Sequence, residues 1–235
     1  MIKGIIFDVD DTLYQFTPAN EAGLKASYTT FKAIVPIPYE EFSDLYYKHR
    51  LIIEKKLGQT AATHDRTLTF TAMIESFGGP FDSLLTLKLL DVYWKAFIST
   101  MKLDTDTKKV LKWIADQDIP MGIVTDMLSQ VQYTKLKKFG ISSYFDSIVT
   151  SQETGHDKPH KSNFMLISKK MGIAPKNLIM VGDNLHRDVL GAKSVGMKTV
   201  HIKRVTSTKA KVKADYTIKK LSELIKIISD EQGTK

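Results

Sequence analysis

The 235-residue sequence contains no cysteine. That excludes a disulfide framework, a thiolate nucleophile and any zinc site built on Cys ligands. Long apolar runs are missing as well. No stretch approaches the roughly 18 residues that a membrane-spanning helix needs, and Asp8 interrupts the first apolar segment before a signal-peptide core could form. The six histidines show no H-E-x-x-H spacing, so a zinc hydrolase is a poor fit, and His156, His160 and His186 read as loop residues. There is no G-x-G-x-x-G. Gly191 and Gly196 miss the P-loop pattern because Met197 separates the second glycine from Lys198. The formal charge of +8 comes from lysines spread along the whole chain. With no nucleic-acid motif beside them, even the run Lys203 to Lys213 reads as solvated surface. These absences, with a hydrophobic content of 43%, predict a folded cytoplasmic protein with neither a membrane nor a nucleic-acid partner, as a monomer or homodimer.

What is present is a strong alternation from about Leu103 onward. Apolar runs at Ile119 to Thr125, Ser147 to Thr150, Asn177 to Val181 and Lys198 to Ile202 read as strands, with an edge strand at Asp215 to Ile218. Helical patterns fall at Thr105 to Asp116, Ser129 to Phe139, Asn163 to Met171, Arg187 to Val195 and from Leu221. Such alternation predicts an α/β fold, a parallel sheet with helices on both faces, to which the N-terminal run Ile2 to Phe7 adds a strand.

Between Phe16 and Lys102 the rhythm changes to helical periods alone. Phe42, Leu45, Tyr46, His49, Ile52 and Ile53 make one stripe, and Phe70, Met73, Ile74 and Phe77 another. Pro36, Pro38 and Gly78-Gly79-Pro80 punctuate the segment, which reads as about four inserted helices. The expected organisation is a core from residues 1–15 and 103–235 and an inserted helical domain, 16–102, placed over the sheet's carboxyl edge as a lid.

Polar residues with chemical potential sit at the strand ends. The first strand runs into Asp8-Val9-Asp10-Asp11-Thr12, two carboxylates two residues apart, an arrangement that favours a cation or acid–base chemistry. A capped turn would use the same residues. Thr125 and Asp126 close the next strand, Lys158-Pro159 follows Ser147 to Thr150, and Gly182-Asp183 with Asp188 follows Asn177 to Val181. Singly, each has an ordinary structural reading as cap, surface lysine or turn. In a parallel sheet the strand ends share one edge, so the set converges. Carboxylates for a hard cation, a hydroxyl and a fixed positive charge are the parts that phosphoryl transfer uses.

These four segments in this order resemble the haloacid dehalogenase superfamily, and the mid-chain helices resemble its C1 cap. The resemblance implies a Rossmann-like core with an all-α cap and a Mg²⁺-dependent phosphatase acting on a small phosphorylated metabolite. By it, Asp8 attacks phosphorus to form an aspartyl-phosphate, and Asp10 protonates the leaving alkoxide and then takes a proton from water. Mg²⁺ is held by Asp8, the backbone carbonyl of Asp10 and Asp183, with Asp188 supporting the metal or Lys158. Thr125, the amide of Asp126 and Lys158 bind phosphate oxygens. A second Asp in the first segment separates phosphatases from true dehalogenases, which need no proton donor. Two positions depart from the pattern: Asp126 stands where Asn is frequent, and Lys161 where many members have a second Pro. A phosphomutase shares every one of these residues, and a non-catalytic phospho-ligand protein would not require Asp10. Tyr14, Lys25, His49, Arg50, His64 and Arg66 are candidates to face the substrate, and amphipathic packing or solvent explains each equally well.

Overall fold

Runs of Ile, Val, Phe and Met have no polar face to turn to water, so they form strands covered on both sides. The computed structural model describes residues 1–78, 82–204 and 211–233. Its strands are β1 (Gly4–Phe7), β2 (Met121–Thr125), β3 (Ser147–Thr150), β4 (Leu178–Gly182), β5 (Lys198–Ile202) and β6 (Tyr216–Ile218). Helices α1 (Phe16–Phe31), α2 (Tyr39–Leu57), α3 (Arg66–Glu75) and α4 (Ser83–Thr100) follow β1. Helices α5 (Thr107–Ala115), α6 (Ser129–Phe139), α7 (Ser151–Thr154), α8 (Lys161–Met171), α9 (Gly191–Ser194) and α10 (Leu224–Gln232) alternate with the later strands. The chain divides into two compact units, Met1–Gln15 with Lys102–Lys235, and Phe16–Met101. No helix among the described residues is long and apolar enough to cross a membrane.

In the first unit the six strands pair in the order β3-β2-β1-β4-β5-β6, all parallel, with β6 at an edge. Ile6, Val124, Val149 and Met180 meet Phe164 and Ile167 of α8 in one core cluster. The period of two sends Ile5, Phe7 and Ile123, all fully buried, to the opposite face. Helix α5 buries Val110, Leu111 and Ile114 and packs with α10, which buries Leu224 and Ile228. Where the chain leaves and re-enters this unit, Tyr14 bridges Leu103, and the Leu13 carbonyl accepts bonds from the Asp104 amide at 3.2 Å and the Thr107 hydroxyl at 3.0 Å.

One helix differs from expectation. Over Arg187 to Val195 the chain is not a single α-helix: Leu185–Leu190 is a π-type turn and only Gly191–Ser194 is α-helical. Side chains override the period. The Asn184 carboxamide caps the amides of His186 and Arg187 at 3.0 Å each, and the Asp188 carboxylate accepts the Asn184 amide at 2.9 Å. The widened turn holds Asp188 against the end of β4. A second difference concerns the basic run. Lys203, Lys211 and Lys213 are exposed as expected, residues 205–210 lie outside the described residues, and Arg204 points inward. Its Nε donates to the Asp11 carbonyl at 2.7 Å and its Nη2 to the Thr12 carbonyl at 2.9 Å and to the Asp104 carboxylate, fixing the turn after β1.

In the helical unit α1 lies close along α4: a Cβ on Gly23 would sit 2.7 Å from the Tyr93 ring. Phe31, Phe42, Tyr46, Phe70, Tyr93 and Phe97 are fully buried there. Ile52 and Phe77, expected on apolar stripes, are 49% and 42% exposed. Ile52 lies about 100° around α2 from buried Ile53, and Phe77 lies two residues past the end of α3, outside its period. Of the Gly78-Gly79-Pro80 break, only Gly78 belongs to the described residues.

Candidate active site

Strands β2 and β3 lie on one side of β1 and β4 to β6 on the other, so the winding reverses between β1 and β4. Open parallel sheets form a ligand crevice at such a point, outside the strands' carboxyl ends. Phe7 is in register with Ile123 and Val181, so Asp8 emerges within one residue of the level of Thr125 and Asp183.

Lys158 joins these elements. Its buried ammonium donates to Asp8 Oδ1 at 2.6 Å, to Asp188 Oδ1 at 2.7 Å and to the Val124 carbonyl at 3.2 Å, which uses all three N–H groups. Burial alone would lower its pKa; the charges of Asp188, Asp8 and Asp126 outweigh that and raise it. Its backbone amide bonds Asp126 Oδ1 at 2.8 Å, and Arg187 Nη1 lies 3.2 Å from Asp126 Oδ2. Burial raises the pKa of Asp126.

Oxygen atoms of Asp8, Asp183 and Asp188 lie within 4.8 Å of one another. Burial, with the neighbouring carboxylates, pushes Asp8 up to about 7 even against Lys158, and pushes Asp183 up to about 8. Crowded carboxylates with one ammonium between them are a donor set that suits a hard divalent cation: oxygen ligands only, and more negative charge than Lys158 offsets. The Asp183 carbonyl is tied to Nε2 of His201 on β5 at 2.9 Å. Gly182 leaves room for the cluster, because a Cβ there would lie 2.3 Å from Asp188 Oδ2. Gly182→Ala is therefore expected to lower stability by about 1–3 kcal/mol, the usual cost of overpacking, and to weaken metal binding by displacing Asp188. Chemical denaturation and a metal titration of the variant check this.

The Asp10 carboxylate stands apart from that cluster. It accepts hydrogen bonds from Lys135 Nζ at 2.6 and 2.9 Å, from Gln132 Nε2 at 3.0 Å and from the Tyr14 hydroxyl. Burial raises its pKa, but the Lys135 charge and these bonds prevail and hold it below the usual carboxylate range. This differs from a group poised to exchange protons near neutrality, and Lys135 is the reason. Gln132 Nε2 also reaches Thr125 Oγ1 at 2.9 Å and the Asp126 carbonyl at 2.8 Å, so one amide spans two strand ends.

All seven expected site residues, Asp8, Asp10, Thr125, Asp126, Lys158, Asp183 and Asp188, thus lie at this edge. Lys135, Gln132, Arg187 and Arg204 were not among the expected residues, and Tyr14, for which substrate contact and packing were equal readings, bonds Asp10. A signal for the first two exists in α6. Gln132, Lys135, Leu136 and Phe139 form its buried stripe, so a lysine and a glutamine share the period of the apolar residues. Among the histidines, His156 and His160 stack with ring centroids 4.0 Å apart and take no part.

A parallel sheet wound in this order, with carboxylates, a lysine and a threonine at its switch point, is a doubly wound α/β fold with its polar cluster where such folds bind ligands. Residues 5–202 match the model of the haloacid dehalogenase-like hydrolases, and the chain belongs to that family. It is 31% identical over 239 residues to the ribulose-1,5-bisphosphate 5-phosphatase of Halopiger xanaduensis, covering 97% of this chain and all of that one. It is 32% identical to the glyceraldehyde 3-phosphate phosphatase of Methanocaldococcus jannaschii, covering 98% of each. Among solved structures, a HAD phosphatase from Thermococcus onnurineus superposes with a TM-score of 0.78 at 30% identity, covering 97% of this chain and 98% of that one.

Proposed function

We propose that this protein is a Mg²⁺-dependent phosphatase that hydrolyses a small sugar phosphate through an aspartyl-phosphate on Asp8. The observation that carries the reading is the pairing of Asp8 with Lys158, with Asp10 held separately by Lys135. Two adjacent carboxylates in different electrostatic settings can serve as nucleophile and as acid–base group. Whole-length similarity to sugar-phosphate phosphatases supports the substrate class.

In the first step an Asp8 oxygen bonds to phosphorus as the ester oxygen leaves, taking a proton from Asp10. Lys158, Thr125 and the Asp126 amide offset charge on the phosphoryl oxygens. In the second step Asp10 removes a proton from water, the water oxygen attacks phosphorus, and the Asp8 carboxylate is released with inorganic phosphate. Asp10 carries a proton in the first step and is ionised in the second, the form that Lys135 favours. Asp8, Asp183 and the Asp10 carbonyl would hold Mg²⁺, with Asp188 supporting the metal or Lys158, and the ion would screen the phosphate from the carboxylates. None of these residues belongs to Phe16–Met101, and substrate choice is assigned to that unit.

A phosphate-release screen over triose phosphates, sugar bisphosphates, phosphoglycolate and nucleotides, with and without Mg²⁺, tests the reading. Release from none of them refutes it, and transfer to a sugar hydroxyl without free phosphate marks a mutase. Activity is expected to vanish in excess chelator and to be inhibited by Ca²⁺, whose looser shell misplaces phosphate relative to Asp8. Asp183→Ala is expected to raise the Mg²⁺ concentration for half-maximal rate at least about tenfold, more than it raises the substrate KM.

A further inference from the structure

Four helices of the second unit bring polar groups together inside it: Asn20 from α1, Tyr46 and Arg50 from α2, Arg66 from α3 and Tyr93 from α4. Arg66 is buried and firmly oriented. Its Nη1 donates to the His64 carbonyl at 2.8 Å and its Nε to the Tyr93 hydroxyl at 3.4 Å, with the guanidinium 5.7 Å from the Tyr93 ring and 5.8 Å from that of Trp94. The Tyr93 hydroxyl is itself committed, donating to Asn20 Oδ1 at 2.6 Å. Arg50 is different. Its Nη1 is buried and has no hydrogen-bond partner among the described residues, and the same holds for the hydroxyl of fully buried Tyr46. Tyr46 precedes Arg50 by one helical turn, and its oxygen lies near enough to the guanidinium to act on it as a weak acceptor, while Arg50 Nη1 and the Tyr46 hydroxyl have no partner at full hydrogen-bond distance. Burial and the neighbouring charge of Arg66 both lower the pKa of Arg50.

A guanidinium is a donor with no acceptor capacity, and a phenol can donate as well. Buried donors without acceptors, beside a second like charge, are costly unless something with several acceptor oxygens and negative charge meets them. We infer that the helical unit holds an oxyanion-binding site built on Arg50 and Arg66, with the Tyr46 hydroxyl as an additional donor, for a phosphate, sulfate or carboxylate group. Two sources share that chemistry: a second anionic group on the substrate, or a free anion acting as an effector. The first source rests on the phosphatase reading; the site itself does not.

The full chain and Arg50→Gln are compared in three measurements. In thermal unfolding, added sulfate is expected to raise Tm more for the wild type than for Arg50→Gln; the difference isolates this site from any sulfate bound at the sheet edge. In kinetics, kcat/KM for a sugar bisphosphate is expected to fall at least about tenfold more than kcat/KM for nitrophenyl phosphate, through KM, if the anion belongs to the substrate, with Arg50→Lys recovering part of it. If the anion is free, sulfate changes the rate on nitrophenyl phosphate in the wild type and not in Arg50→Gln. Equal sulfate stabilisation of both proteins, together with equal losses on both substrates, overturns the inference and leaves Arg50 a packing residue. Absence of phosphatase activity on every ester refutes the proposed reaction alone, because the unfolding comparison still reports the site.

Discussion

Asp8→Asn is expected to lower turnover on every phosphate ester by more than about 10⁴-fold, with the protein still folded. The amide nearly preserves the side chain's shape but cannot form the acyl-phosphate. Folding should survive because the change removes one of three crowded carboxylates, Asp8, Asp183 and Asp188, and leaves Lys158 paired with Asp188 at 2.7 Å. Phosphate release by the variant, purified free of other phosphatases, and its thermal unfolding in chelator check both halves. Retention of more than a few per cent of activity would remove Asp8 from the nucleophile's role. Lys158→Met should behave otherwise. It strips the shared counter-charge from Asp8 and Asp188 together, and breaking such a buried pair destabilises by about 3–5 kcal/mol.

The sheet was legible because each strand is a short apolar run bounded by polar residues, and β1, wholly buried, has no competing reading. The carboxylates at its edge followed from topology. Once the strands are parallel, residues just past their ends must meet, whatever their separation in sequence, as Asp8 and Lys158 do. What surrounds Asp10 was harder to read. Helix α6 has a polar composition, and the one signal, Lys135 and Gln132 falling on the period of Leu136 and Phe139, does not name the partner 125 residues away that Lys135 meets. The π-type turn at Leu185–Leu190 was hidden because its apolar residues fit an α-helical period equally well. The Asn184 caps and the bond that the Asn184 amide donates to the Asp188 carboxylate select the wider winding. In the helical unit, stripes located the core but not its margins, since Ile52 fits an apolar stripe and still faces water.

Asp10→Asn is expected to cost about 10²- to 10⁴-fold in kcat on alkyl phosphates, the usual range for an acid–base group, and much less on nitrophenyl phosphate, whose leaving group departs without a proton. Equal losses on the two would count against proton transfer by Asp10. Lys135 adds a sharper comparison. It is fully buried, grips both Asp10 oxygens at 2.6 and 2.9 Å, and acts on the proposed reaction through Asp10. Lys135→Met should therefore repeat the leaving-group pattern of Asp10→Asn at smaller amplitude. Adding it to Asp10→Asn should cost little more, because both changes remove one interaction. Steady-state rates of the two single variants and the double variant on both ester types measure that coupling. Independent, multiplicative losses would mean that Lys135 serves the fold of α6 and does not aim the acid–base group.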